Sequence, residues 1–233
     1  WLGFLWVFYI RAPFQTTGVR NAFGEWGLNV GLYGRVEVQL AYSYDGYDCL
    51  RAPGRQPFIG WRERGDFDAG GIYTASHPVI VDDKMFIYYT GTRREHGCHK
   101  HPPAGGGDGD HPVYEISIGL AEIMRDRFLG FSSDGEGLLE IEVEPDQEMW
   151  RNSSIYVNAS CPHGYVKAEI LDENKEVLPG YSVDECTPFT GDAVRGKISW
   201  PGGKLEQAEK AAPKGNVIIR FHLYNADFWG FEV

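Results

Sequence analysis

The sequence contains no apolar run long enough to cross a bilayer. Its longest apolar run, Trp1–Ile10, stops at Arg11, whereas a transmembrane helix needs ~20 apolar residues. The aromatic and β-branched content of this run instead predicts a strand buried on both faces. We therefore expect no membrane insertion. A buried strand at this position also indicates that the native protein extends upstream of Trp1.

Excess positive charge is also absent. The chain carries 22 Lys and Arg residues against 33 Asp and Glu residues, for a net charge of −11. No basic stripe with interleaved aromatic residues occurs along it. This charge balance argues against nucleic acids and anionic membrane surfaces as partners.

Cysteine is scarce and irregularly spaced. The chain has four cysteines, Cys49, Cys98, Cys161 and Cys186. They form no CxxC pair, so a zinc ribbon is not expected, and three disulfide pairings remain open. Two sequons predict glycosylation at Asn152 and Asn158. Together these features favour a secreted, extracellular protein.

Long helical patterns are missing, whereas turn-forming and aromatic residues are abundant. The chain has 30 Gly, 13 Pro and 14% aromatic residues. Aromatic side chains favour sheets and also suit stacking on sugar rings. The composition predicts an all-β protein with frequent turns.

The clearest strand pattern lies between Gly65 and Thr92. It predicts three strands, Gly70–Thr74, His77–Val81 and Lys84–Thr90. Asp82 and Asp83 are expected to form the tight turn before the third strand, and the two glycines at the start permit close backbone approach. Short antiparallel strands joined by tight turns are typical of one blade of a β-propeller.

The residues before this blade are less regular. Val36–Tyr44 alternates and predicts a strand with Val36, Val38 and Leu40 on one face. Arg11–Gly34 shows no clean period, so we expect a long loop there.

The insertion Arg93–Pro112 is rich in histidine and glycine. One interpretation is a metal site, because His and Cys at short spacing can bind zinc. The other is a hairpin tip without regular structure, and this is the one we expect, since metal loops normally use two distant ligand pairs. The sequence predicts neither a bound metal nor a cofactor.

The character of the chain changes near Ser132–Gly137, and acidic residues dominate after it. We predict two domains, residues 1–132 and 133–233. The second shows short strands separated by turn clusters, a rhythm that predicts a β-sandwich. The expected strands are Leu138–Val143, Ser153–Ala159, Tyr165–Leu171, Lys197–Trp200, Val217–Tyr224 and Phe228–Phe231.

Four segments in order resemble the proteins related to glycoside hydrolase family 32. They read FDAGGIYTASHPVIVDDKMFIYYTG, ISIGLAEIMRDRFLGF, GLLEIEVE and SSIYVNAS…GYVKAEILDENKEVLPGYSVDECTPFTGD…KISW. The resemblance implies a partial five-bladed β-propeller followed by a β-sandwich. It also implies action on glycosidic bonds through a carboxylate pair. The family's nucleophile and acid lie in earlier blades, which the resemblance places upstream of Trp1.

Within this chain, Asp68 is the candidate catalytic residue because it stands at the entry of the blade. The alternative role for Asp68 is to cap the turn into Gly70. Tyr73, His77 and Glu63 are candidate substrate-binding residues.

The predicted function is therefore a portion of a carbohydrate-active, glycoside hydrolase-like protein. Its partners would be a carbohydrate ligand or substrate and the upstream blades of the same protein. A non-catalytic glycan-binding or structural extracellular protein on the same scaffold is the alternative, because a fold does not determine chemistry.

Overall fold

The computed structural model describes residues 1–20, 26–96, 116–143, 154–202 and 216–232, with the backbone alone described for 11–20 and 26–33. The chain divides into two compact units, Trp1–Ile123 and Met124–Val233. Both are built from β-strands, which confirms the all-β prediction. Among the described residues, no helix is long and apolar enough to cross a membrane.

The first unit contains one sheet. Its strands are β1 (Leu2–Arg20), β2 (Trp26–Tyr42), β3 (Leu50–Arg51), β4 (Pro57–Ile59), β5 (Gly71–Thr74), β6 (Val79–Val81), β7 (Lys84–Thr92) and β8 (Ile116–Met124). The main path runs β1-β2-β5-β7-β6, with β3 and β4 paired to β2 and β8 paired to β7. A short 3-10 turn, Pro53–Arg55, separates β3 from β4.

The long loop predicted for Arg11–Gly34 is wrong. β1 and β2 form a single antiparallel hairpin whose pairing continues through that segment to Arg20 and Trp26. Two register shifts interrupt the ladder, and such irregularities remove the regular alternation by which a strand is recognised in a sequence. Gly34 also permits close approach, since a Cβ there would lie 2.0 Å from the carbonyl oxygen of Tyr9.

The burial predicted for Trp1–Ile10 is also wrong. Trp6 is 52% exposed and Ile10 is 54% exposed. The physical reason is the position of β1 at one end of the sheet path, where the described residues of the unit do not cover both of its faces.

The blade-like stretch folds as its sequence predicts. β5 and β6 pair with successive parts of β7. Asp82 has a φ of 52°, in the left-handed region that tight hairpin turns require. The small core of this unit is formed by Val38, Ile72 and Tyr89.

The second unit contains a four-stranded antiparallel sheet in the order β11-β10-β12-β9. Its strands are β9 (Phe131–Val143), β10 (Ser154–Leu171), β11 (Phe189–Ser199) and β12 (Val217–Glu232). β10 merges two predicted strands across a register shift. The predicted boundary residues 132–137 lie inside β9.

One face of this second sheet carries the larger apolar core. Ile170, Ile219 and Phe221 are fully buried on it, and Tyr181 packs edge-on against Trp200 at 5.3 Å. The opposite face is charged. Buried Glu169 accepts hydrogen bonds from Arg220 at 2.8 Å and from His222. Burial acts to raise the pKa of Glu169, but these two partners outweigh it and hold that pKa below its usual value.

Gly70 provides a test of the packing next to β5 and β7. A Cβ at this position would lie 2.1 Å from the carbonyl carbon of Arg94. Gly70→Ala should therefore lower the free energy of unfolding by about 2 kcal/mol or more, since the overlap forces the backbone to move. Urea titration followed by circular dichroism measures the effect.

The matched control is Gly3→Ala on β1, where a Cβ would meet Ala41 at an ordinary 3.8 Å. Equal free energies of unfolding for the two variants would contradict the close approach of Gly70 to Arg94.

Candidate functional site

A cleft of about 460 Å³ opens in the first unit. Its lining residues are Tyr9, Arg35, Glu37, Arg55, Gln56, Pro57 and Trp61. They come from β1, β2 and the segment that contains β4. The cleft therefore combines two aromatic side chains with charged groups of both signs.

Strand register places the polar residues of the cleft on one face. Tyr9 pairs directly with Arg35 across β1 and β2, and Val7 pairs with Glu37. Because side chains alternate along a strand, Tyr9, Arg35 and Glu37 point to the same side of the hairpin. Val36 and Val38 then point to the opposite side, where both are buried.

Glu37 is the buried carboxylate of the cleft, with only 3% exposure. Its Oε1 accepts a hydrogen bond from the Tyr9 hydroxyl at 2.7 Å and another from Gln39 Nε2 at 2.6 Å. Gln39 also donates to the Tyr9 oxygen at 2.9 Å. A buried charge needs such donors to offset its desolvation. The hydrogen bond to Glu37, followed by burial and the negative charge of Glu37, raises the pKa of Tyr9 and keeps its hydroxyl protonated.

Arg51 extends this network from β3. Its guanidinium donates to Gln39 Oε1, so Arg51 and Glu37 are connected through one amide side chain. The Nε atom of Arg51 is buried without a hydrogen-bond partner among the described residues. Arg51, which does not line the cleft, is thus the positively charged residue connected to Glu37.

Trp61 forms the aromatic wall. Its indole Nε1 donates to the Val36 carbonyl at 2.8 Å, which fixes the ring. Tyr9 meets it edge-on, with ring centroids 5.4 Å apart, and the Arg35 guanidinium lies 5.3 Å from its centre. Arg35 in turn pairs with Glu95 at 3.2 Å. A fixed ring beside polar groups is suited to a ligand with both an apolar face and hydroxyl groups.

Asp68, the predicted catalytic residue, is 1% exposed and does not line this cleft. Its Oδ2 accepts a 2.8 Å hydrogen bond from Tyr89 and lies 3.5 Å from Arg62, while its Oδ1 is buried without a partner among the described residues. Burial, followed by the hydrogen bond and charge of Asp68, raises the pKa of Tyr89 to about 12. These contacts make Asp68 part of the packing beside β7, and its catalytic role stays a prediction.

The predicted substrate-binding residues lie in different surroundings. Tyr73 is half-buried and packs edge-on against Trp6 at 5.4 Å. His77 is exposed and lies 2.9 Å from the Ser76 hydroxyl. Glu63 is exposed in the loop between β4 and β5, where its carbonyl accepts a hydrogen bond from the Asp66 amide.

The two predicted glycosylation sites differ in what the structure covers. Asn152 lies outside the described residues. Asn158 is 8% exposed, and its Nδ2 donates to the Arg125 carbonyl at 2.7 Å while its Oδ1 accepts from Arg127 at 2.8 Å. A glycan on Nδ2 would leave this buried amide a single N–H, and glycosylation at Asn158 stays a prediction.

The histidine-rich insertion is described only up to His96, and its remaining residues lie outside the described part of the chain. Within that part, no three His, Cys, Asp or Glu side chains form a group able to hold a metal ion. Cys49, Cys161 and Cys186 are free thiols there; Cys98 belongs to the residues left undescribed.

The sequence prediction missed Tyr9, Glu37 and Trp61 as a group. Part of the signal was present, because the alternation that assigns Val36, Val38 and Leu40 to one face assigns Glu37 and Gln39 to the other. Two polar residues on the second face of a central strand indicate a polar site. The partner Tyr9 could not be assigned without the register of β1 against β2.

The chain was compared with protein families, curated proteins and solved structures. The chain matches no protein family, no curated protein and no solved structure.

The bond between Tyr89 and Asp68 can be tested by removing one hydroxyl. Tyr89→Phe should lower the free energy of unfolding by about 1–3 kcal/mol, because it leaves a buried carboxylate without its donor. Chemical denaturation measures the difference. Tyr88→Phe, at a neighbouring position that is 48% exposed, is the control and should change stability little. A Tyr89→Phe variant as stable as the control would contradict a structural role for Asp68.

Proposed function

We propose that the chain is a portion of a carbohydrate-active, glycoside hydrolase-like protein, and that the cleft of its first unit binds sugar. The observation that carries the proposal is the pairing of a fixed aromatic wall, Trp61 and Tyr9, with the buried carboxylate of Glu37 in one recess. Sugar rings present apolar C–H faces that stack on aromatic rings and hydroxyl groups that donate to carboxylates.

The sequence resemblance gives this cleft its context. In the proposed architecture, the first unit is part of a five-bladed β-propeller and the second unit is a β-sandwich. The carboxylate pair that hydrolyses the glycosidic bond would come from upstream blades of the same protein, with Asp68 in a supporting catalytic role. Tyr73, His77 and Glu63 would contact more distant parts of the substrate. Such a protein would act outside the cell.

A second concavity, in the second unit, lacks the aromatic side chains that the cleft of the first unit offers to a sugar. A recess of about 480 Å³ lies in the second unit and is lined by small and polar residues, among them Asp134, His163 and Asp227. Its lining contains no Trp, Tyr or Phe side chain. The aromatic wall that supports sugar stacking is therefore a property of the cleft in the first unit.

Non-catalytic glycan binding is the alternative, and the position of Asp68 outside the cleft favours it. Asp68 does not line the cleft and is hydrogen-bonded to Tyr89, so it is not placed to act on a sugar bound there. In this alternative the cleft would bind sugar by the same contacts, and no bond would be cleaved.

Isothermal titration with a panel of neutral and acidic oligosaccharides tests sugar binding by the 233-residue chain. Tyr9→Leu should weaken binding by about tenfold, the effect of losing a contact of roughly 1.4 kcal/mol, because it removes half of the aromatic wall. Tyr47→Leu is the matched control, since Tyr47 is 91% exposed and lies outside the cleft.

Two results would contradict the proposal. One is that no oligosaccharide of the panel binds. The other is that Tyr9→Leu and Tyr47→Leu bind with the same affinity as the unaltered chain.

A further inference from the structure

The positive charges in and next to the cleft outnumber the negative charges by one. Glu37 is connected to Arg51 through Gln39, and Arg35 is paired with Glu95. Arg55 also lines the cleft, and no carboxylate of the described residues lies within salt-bridge distance of it. One positive charge is therefore left over at this recess, although the chain as a whole has a net charge of −11.

The backbone around Arg55 is held in a less common conformation. Arg55 has a φ of 50°, and Gly54 before it has a φ of 75°. A non-glycine residue in the left-handed region is uncommon and carries a small conformational cost. The amide of Arg55 is bonded to the Ala52 carbonyl at 3.1 Å, which closes the turn between β3 and β4. This turn holds the backbone of Arg55 in place, and the unpaired guanidinium of Arg55 lines the cleft.

We infer that the cleft takes an acidic sugar, a glycan with a carboxylate group of the uronic acid type, and that Arg55 binds this carboxylate. This inference rests on the proposed sugar binding and names the substrate class of the same site. A guanidinium offers two parallel N–H donors that match a carboxylate. Trp61 and Tyr9 provide the stacking surface for the ring that bears it.

The negative charge of Glu37 does not prevent this assignment. Its Oε1 already accepts two hydrogen bonds, and it is 3% exposed. Arg55, by contrast, is exposed and can meet a ligand carboxylate at the opening of the cleft. Glu37 then suits the hydroxyl groups of the sugar, while Arg55 suits its acid group.

The test compares tetragalacturonic acid with its fully methyl-esterified form, which has the same ring and linkage without the charge. We expect the acid to bind about tenfold more tightly, the order of effect of one charge-assisted hydrogen-bonded pair. The difference should shrink as salt is raised, because the pair is open to solvent. Arg55→Gln should abolish this difference in affinity between acid and ester.

Arg64→Gln is the matched control, since Arg64 is an exposed arginine of the neighbouring loop that does not line the cleft. Equal binding of acid and ester, or equal effects of Arg55→Gln and Arg64→Gln, would overturn the inference. If neutral oligosaccharides still bind and respond to Tyr9→Leu, the proposed function stands without it. If no sugar binds, both fail.

Discussion

The buried carboxylate of Glu37 is the constraint on which the candidate site depends. It lies on β2 with 3% exposure and is held by the Tyr9 hydroxyl of β1 and by Gln39 of its own strand. Removing a charge from water is costly unless hydrogen bonds replace its hydration. The register of β1 against β2 is therefore coupled to the position of this carboxylate. The same register brings Tyr9 to within 5.4 Å of Trp61 and so forms the wall of the cleft.

A second buried carboxylate, Asp68, contributes to packing and does not line the cleft. Its Oδ2 accepts a hydrogen bond from Tyr89 of β7. A Cβ added at Gly91, also on β7, would lie 2.8 Å from the Cβ of Asp68. Asp68 thus connects the loop before β5 to β7, the strand that pairs with both β5 and β6. Both carboxylates are buried, but Glu37 lines the cleft and Asp68 does not. This contrast is why the proposed sugar site is built on Glu37.

Local patterns predicted the strands β5, β6 and β7 well because these elements are decided by nearby residues. The turn at Asp82 and Asp83 and the strand Lys84–Thr92 follow from turn chemistry and from alternating side chains. The part of the β1–β2 hairpin that falls within Arg11–Gly34 was missed because glycines and two register shifts hide its alternation. The cleft could be predicted only in part: Glu37 and Gln39 stand out on the polar face of β2, whereas their contacts with Tyr9 and Arg51 depend on pairing between strands that no local pattern specifies.

The central claim is that a sugar occupies the recess between Tyr9, Glu37 and Trp61. A crystal structure of the chain with a bound oligosaccharide tests it most directly. The account predicts a sugar ring stacked on Trp61, with a hydroxyl group at Glu37 and, for an acidic sugar, a carboxylate at Arg55. A ring bound instead beside Tyr73 and His77, or in the second unit, would contradict it.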